Sequence, residues 1–302
     1  MRKITPHLWF EKEAKDAAEL YTSVIPGSKI TSAKTLEGTP SGDCEMVSFE
    51  LAGQPFMAIS AGPLFKFNPS ASFQVKCKAK DEVDRIFEKL SGGGRVRMPL
   101  GSYPFSDRYG WLEDKYGLSW QVIFGGGRDV QQRIVPMLTF VGRACGQAEE
   151  AINLYAHVFK NAPAVTDEST HANVLARYGR GQEPDREGTV KYASFWLLGQ
   201  EFGAMDSARE HQFAFNEAIS FMVPCDTQEE IDYFWERLSA DPKAGQCGWL
   251  KDRYGVSWQI TPTIMNAMLG GTDKDRTARV TQAFLKMKKF DIDTLKKAYE
   301  GK

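Results

Sequence analysis

Net charge, histidine, long apolar runs and paired cysteines are all scarce in this chain, and each scarcity removes a class of function. Its 302 residues include 38 Lys or Arg and 39 Asp or Glu, for a formal net charge of −1. So balanced a composition gives no electrostatic footprint for nucleic acid, which is not an expected partner. The apolar runs are strand-sized, such as Trp120 to Phe124. None approaches the roughly 20 residues that span a bilayer, so no membrane partner is expected either. The opening MRKITPHLWF runs into a strand-like segment without the apolar stretch of a secretory leader. The cysteines, Cys44, Cys77, Cys145, Cys225 and Cys247, are odd in number and form no Cys-x-x-Cys pair. That pattern suits a reducing compartment, and a cytoplasmic location is the expectation.

Catalytic signatures are missing too. No Gly-x-Gly-x-x-Gly follows a strand and opens a helix, which leaves a Rossmann nucleotide site unsupported. The runs Gly92-Gly93-Gly94 and Gly125-Gly126-Gly127 lack the lysine and spacing of a phosphate-binding loop. There is no Gly-x-Ser-x-Gly. His157, His171 and His211 stand singly, with no pair at metal-ligand spacing on a helix, and read as surface or structural histidines.

What the chain does have is a repeat. WLEDKYGLSWQVIF (111–124) returns as WLKDRYGVSWQITP (249–262), and SFELAGQPFMAIS (48–60) as SFWLLGQEFGAMD (194–206). Two copies of one unit of about 130 residues follow in order, and one architecture explains both. Each copy opens on a strand, ITPHLWF (4–10) or IVPMLTF (134–140). Strand alternation puts Leu8 and Phe10 on one face with Leu138 and Phe140, and His7 and Trp9 on the other with Met137 and Thr139. An amphipathic helix follows at 14–25 and 147–159, then a hairpin turning at Gly53-Gln54 or Gly199-Gln200. A further strand (71–77 or 219–225), a second helix (81–91 or 229–239) and a closing hairpin complete the unit. Gly117 and Gly255 are expected to supply positive φ in that last turn, with Asp114 and Asp252 stabilising it. Cys77 and Cys225 hold equivalent positions, which favours a small buried apolar role. The segment 92–109, shortened in copy two to 240–248, reads as a loop insertion able to lid a cavity. The predicted fold is α+β: domains at 1–128 and 129–265, each built of βαβββ modules with curved mixed sheets, and a C-terminal helical extension over 266–302.

The βαβββ unit, the Glu-Leu-Tyr or Asn-Leu-Tyr helix and the closing Asp-x-Tyr-Gly-x-Ser-Trp-Gln resemble the vicinal oxygen chelate superfamily of glyoxalase, bleomycin-resistance and dioxygenase proteins. More narrowly, Pro-x-Leu-x-Phe, Leu-x-Gly-Gln-x-Phe and the closing motif resemble its PhnB-like branch, often labelled 3-demethylubiquinone-9 3-methyltransferase-like. The resemblance implies paired modules that curve around a cavity. In metal-dependent members it implies ligands from a first-strand His, a second residue entering a later strand and a last-strand Glu, with the metal acting as a Lewis acid. Carried over singly, the glutamate position falls on Gln121 and Gln259, the first-strand position on His7 and Met137, and the middle one near Ser70 and Ala218. A neutral amide is a poor substitute for a carboxylate around a divalent cation. No metal and no other cofactor are therefore expected.

The expected function is binding of a small organic ligand in a cavity between paired modules, with the two repeats pairing inside one chain and a homodimer as a further possibility. The alternatives are a metal-assisted lyase, isomerase or dioxygenase, the methyltransferase that the family label implies, and an interaction scaffold using the helical tail. Module pairing implies two unlike cavities, one near His7 and Gln259, the other near Met137 and Gln121. Only the first offers an imidazole near neutral pH. The ligand is therefore expected beside His7, the candidate catalytic residue, with Trp9 as a wall and Asp206 as a further candidate.

Overall fold

Alternation in the first strand decides which side chains enter the core. Leu8 and Phe10 are buried there, while His7 and Trp9 point to the opposite face of the sheet. The structure, a computed structural model, describes residues 4–39, 42–126, 130–163, 170–241, 243, 245–271 and 273–302. The first repeat runs β1 (Thr5–Phe10), α1 (Ala14–Val24), β2 (Lys29–Thr39), β3 (Gly42–Leu51), β4 (Gln54–Ser60), β5 (Ala71–Cys77), α2 (Lys80–Ser91), β6 (Arg95–Tyr103), β7 (Ser106–Glu113) and β8 (Ser119–Phe124). The second runs β9 (Ile134–Phe140), α3 (Ala148–Lys160), β10 (His171–Arg177), β11 (Val190–Leu197), β12 (Gln200–Asp206), β13 (Ile219–Cys225), α4 (Gln228–Leu238), β14 (Trp249–Lys251) and β15 (Ser257–Pro262). Three helices follow: α5 (Ile264–Gly270), α6 (Lys274–Phe284) and α7 (Ile292–Glu300). No helix of the described residues is long and apolar enough to cross a membrane.

The strands form two mixed sheets, one with four strands of the first repeat and three of the second, the other with four from each. Sheet I has the order β14-β15-β13-β1-β4-β3-β2, and sheet II the order β10-β11-β12-β9-β5-β8-β7-β6. The join between repeats is antiparallel in both: β1 on β13, with His7 opposite Ser220, and β9 on β5, with Met137 opposite Ser72. The aromatic cores run the other way. Tyr21, Phe49, Phe56, Phe73 and Trp120 pack in sequence through the first repeat, linking sheet I to sheet II. Tyr155, Phe195, Phe202, Phe221 and Trp258 do the same in the second. Each repeat therefore owns a core and each sheet is shared, so the repeats interlock rather than sit side by side.

The closing motif explains itself in this frame. Asp114, 3% exposed, accepts four hydrogen bonds: from the Tyr21 hydroxyl (2.7 Å), the Trp120 indole (2.9 Å) and the backbone N–H groups of Tyr116 (2.8 Å) and Leu118 (3.0 Å). Asp252 repeats the set with Tyr155, Trp258, Tyr254 and Val256. Gly117 and Gly255 turn the chain at φ of 85° and 92°, as the sequence predicts. Cys77 and Cys225 are fully buried, and burial pushes the Cys77 thiol up to about 12, which makes it inert at neutral pH.

The insertion at 92–109 corrects the sequence reading: it is mostly strand, not loop. It builds β6 and the first half of β7, which extend sheet II by an edge strand. The shorter counterpart in copy two contributes no such strand among the described residues. There the Cys247 and Gly248 N–H groups bond instead to the Met287 and Lys288 carbonyls of the tail, at 2.8 and 2.7 Å. The tail also ties opposite edges of sheet I: α5 leaves directly from β15, and the Gly270 carbonyl accepts a bond from Lys34 on β2 (3.2 Å).

Candidate functional site

A cavity of about 900 Å³ opens on sheet II, on the face opposite its aromatic core. Its floor is set by strand alternation. Gln74 and Lys76 come from β5, Tyr109 from β7, Gln121 from β8, Met137 from β9, Tyr192 and Trp196 from β11, and Glu201 and Met205 from β12. Phe105, at the β6–β7 turn, overhangs the rim and meets Tyr109 edge-on at 4.9 Å between ring centres. Gly203 makes room at the floor, because a Cβ there would lie 2.2 Å from the Met137 sulfur. The first-repeat counterpart of Gly203 is Met57.

Most polar groups in the cavity are already bonded to one another. The Tyr109 hydroxyl donates to Gln121 Oε1 (2.9 Å), and Gln121 Nε2 donates to Ser72 Oγ (3.0 Å). Lys76 reaches both Glu201 oxygens, at 2.8 and 2.7 Å. Gln132 Nε2 donates to the Glu201 carbonyl (2.9 Å) and its Oε1 accepts from the Glu201 N–H (2.8 Å). Arg133 is held by Glu82. Burial, and then the charge of Glu201, pushes the Tyr192 hydroxyl up to about 12, and burial raises Tyr109 as well. Both phenols are neutral donors near pH 7. The cavity therefore has aromatic and apolar walls, neutral hydrogen-bonding groups and two paired charges, with the exposed Lys191 ammonium at its rim, 5.8 Å from the Tyr178 ring centre.

The residues at the metal positions of the fold do not suit a divalent cation. On sheet II they are Met137, Ser72 and Gln121, and the Gln121 oxygen is occupied by Tyr109. On sheet I they are His7, Ser220 and Gln259, with Gln259 Nε2 donating to Ser220 Oγ (2.8 Å). No carboxylate is present in either set, and a thioether, hydroxyls and amides are poor company for Zn, Ni or Mn. Among the described residues no three of His, Cys, Asp and Glu converge as a metal site. Ser72 and Ser220, each two residues beyond Ser70 and Ala218, are the residues that pair with Met137 and His7 across the strands.

The other predicted site residues part company. Gln121 and Met137 line the cavity; His7, Trp9 and Gln259 are on sheet I, away from it. Trp249 stands beside His7, where the sequence reading expects the ligand. Its ring lies edge-on both to His7, at 5.2 Å, and to Trp9, at 6.1 Å between ring centres. His7 is 3% exposed, its Nδ1 has no hydrogen-bond partner, and burial lowers its pKa to about 3. Copy one shows the alternative placement. The Trp111 indole donates to Ser119 Oγ (2.8 Å), whereas the equivalent Ser257 Oγ is buried without a partner. Asp206 is a helix anchor rather than a cavity group. It is 1% exposed and accepts from Gly146 and Ala148 at the start of α3 and from Val190, at 2.7, 3.2 and 3.0 Å. Ser60, its counterpart, accepts from Ala14 at the start of α1 (3.2 Å).

Sequence reasoning missed Gln74, Lys76 and Tyr109, although the repeat itself carries the signal. At the same positions copy two has Met222, Pro224 and Cys247. A polar set on one sheet against an apolar set on the other marks which face stays open.

Comparison with known proteins agrees with the repeat. The family model described as 3-demethylubiquinone-9 3-methyltransferase matches twice, at residues 2–123 and 132–261. A PhnB protein of Bacillus cereus, carrying the same methyltransferase description, is 40% identical over 41% of this chain and 100% of its own length, with a TM-score of 0.39. Protein PA1353 of Pseudomonas aeruginosa is 23% identical over 41% of this chain and 98% of its own, with a TM-score of 0.37. Glyoxalase I of Zea mays is 10% identical over 84% of this chain and 92% of its own, with a TM-score of 0.49. No curated protein matches the chain.

Proposed function

Because this chain belongs to the 3-demethylubiquinone-9 3-methyltransferase (PhnB-like) family of the vicinal oxygen chelate superfamily, we propose that it binds a small, uncharged organic ligand in the sheet II cavity without a metal. The observation that carries this reading is the asymmetry between the sheets. One face holds a 900 Å³ cavity with neutral polar groups, and the equivalent face is packed by Trp249, Trp9 and His7. A ligand of drug size buries most of its surface in a cleft of this volume. Methyl transfer, as in the family description, needs a second site for the methyl donor. The strand-to-helix connections Glu11 to Glu13, Lys78-Ala79 and Asp226-Thr227 hold no glycine, and Val141 to Gln147 holds Gly142 and Gly146 without the Gly-x-Gly-x-x-Gly spacing that cradles one. Five cysteines that form no disulfide among the described residues favour a reducing, cytoplasmic setting.

Thermal-shift screening with flat aromatic compounds, quinones and S-adenosylmethionine tests the reading. Compounds that stabilise the protein are expected to lose their effect in Met205→Trp, which fills the cavity from a half-buried position, and to keep it in His7→Met. Hits indifferent to Met205→Trp but lost in His7→Met would place the site on the other sheet. Elemental analysis after mild purification is expected to show no stoichiometric Zn, Ni, Mn or Fe. A stoichiometric metal released by Gln121→Ala would reverse that expectation.

A further inference from the structure

Gln74 stands apart from the other buried and half-buried amides of the cavity; Gln131, also in its lining, is exposed. It is 5% exposed and lines the cavity floor, yet neither end of its side-chain amide has a hydrogen-bond partner among the described residues. Its neighbour across the strand, Gln121, is engaged at both ends. Gln54 and Gln200 are bonded to each other (3.0 Å) and to the Ile4 carbonyl, at 3.2 and 2.9 Å. Gln132 is spent on backbone groups. An amide that borders the cavity with both ends unspent can be completed by whatever fills the cavity.

A primary carboxamide presents an N–H donor and a C=O acceptor side by side in one plane. Its complement is a ligand edge with an acceptor and a donor in the same arrangement, read by two parallel hydrogen bonds, as glutamine reads adenine. Trp196, Phe105 and Tyr109 supply π-faces around it. Lys76 with Glu201, and Arg133 with Glu82, pair the charges nearest it, while the exposed Lys191 lies at the rim with its ammonium 5.8 Å from the Tyr178 ring centre. We propose that Gln74 is the specificity-determining residue of the cavity, and that the ligand is a flat, neutral ring system with a lactam-like edge, an N–H beside a C=O. The proposal rests on the cavity reading above and adds the chemical class. Copy two has Met222 at this position, so the packed sheet carries no such reader.

Matched bicyclic pairs test it: 2-quinolinone, 1-isoquinolinone and 4-quinazolinone, each beside its N-methyl analogue, titrated against the full chain by calorimetry. At least one lactam is expected to bind at least tenfold more tightly than its methylated partner. Gln74→Met, which installs the residue of the other repeat, is expected to erase that difference while the methylated compound binds as before. Equal affinity for both members of every pair, with binding lost in Met205→Trp, would overturn the role of Gln74 and leave the cavity reading standing. No binding by any pair would overturn the ligand class. The cavity reading itself falls only if the thermal-shift hits are indifferent to Met205→Trp.

Discussion

Asp114→Ala is expected to destabilise the protein by about 3–5 kcal/mol, and Asp252→Ala by a similar amount. Each carboxylate is buried and accepts four donors: a tyrosine hydroxyl, a tryptophan indole and two backbone N–H groups. Removing the acceptor leaves all four without a partner, and each unsatisfied buried donor costs about 1–3 kcal/mol before the structure relaxes. Burial raises both carboxyls above their usual range, while the donors pull them down, so the bonded oxygens are what makes an acidic group tolerable there. The damage also reaches beyond the turn, because Tyr21 hangs from α1 on sheet I and Asp114 sits between strands of sheet II. Urea unfolding followed by circular dichroism measures the loss. Tyr21→Phe removes one donor and keeps the ring, and is expected to cost about 1 kcal/mol. An Asp114→Ala loss no greater than that of Tyr21→Phe would show that the carboxylate is not the anchor of the motif.

The motif illustrates what a single sequence carries. Two occurrences of Asp-x-Tyr-Gly-x-Ser-Trp-Gln were enough to place the turn and its positive-φ glycine, since both are local. The partner of the aspartate, Tyr21 or Tyr155, lies over 90 residues away in sequence. Its place in each copy's helix was visible, but its contact was not. The internal pairing of repeats was equally legible as a consequence of duplication. The edge strand β6 was not, although Val96, Met98 and Leu100 alternate as a strand should, because Pro99 and the preceding glycines read as loop. Pro99 is tolerated there since β6 lies at the edge of the sheet, where a missing N–H breaks no inner ladder.

The site was harder for a physical reason. Metal positions inherited from a family draw attention to His7, the one residue with chemistry at neutral pH, and the two cups differ most in something a first strand does not show. Trp111 and Trp249 occupy the same motif position, yet one bonds to Ser119 and the other packs on His7. Side-chain direction of this kind depends on what surrounds it: Met57, Met222 and the tail on sheet I, against Gly203, Gln74 and β6 on sheet II. Comparing the repeats at those positions, rather than each repeat with a metal site, is what separates the open face from the packed one.

Acid is expected to destabilise the native protein through His7, by about 2 kcal/mol between pH 8 and pH 5. The imidazole titrates near 6.5 in the unfolded chain and at about 3 in the folded one, lowered by burial. Below pH 6.5 the unfolded state takes up a proton that the native state refuses, so stability is lost as pH falls from 6.5 towards 3. The slope is about 1.4 kcal/mol per pH unit within that window. Burial raises the carboxyls of Asp114, Asp206 and Asp252. They act in the opposite sense, because the native state then binds protons more readily than the unfolded one. The histidine contribution is therefore read as a difference between proteins, not from one acid curve. His7→Met supplies the comparison, with the residue that the second repeat carries at this position. Urea midpoints for both proteins at pH 8 and pH 5 give the result. The wild type is expected to lose about 2 kcal/mol more than His7→Met over that interval. Equal losses would mean that the imidazole stays within reach of water, and that Trp249 does not close the sheet I cup over it. The same outcome would return His7 to the pool of groups able to exchange a proton with a ligand. The expected difference removes it, since a histidine that stays neutral down to about pH 3 holds no proton to give near pH 7.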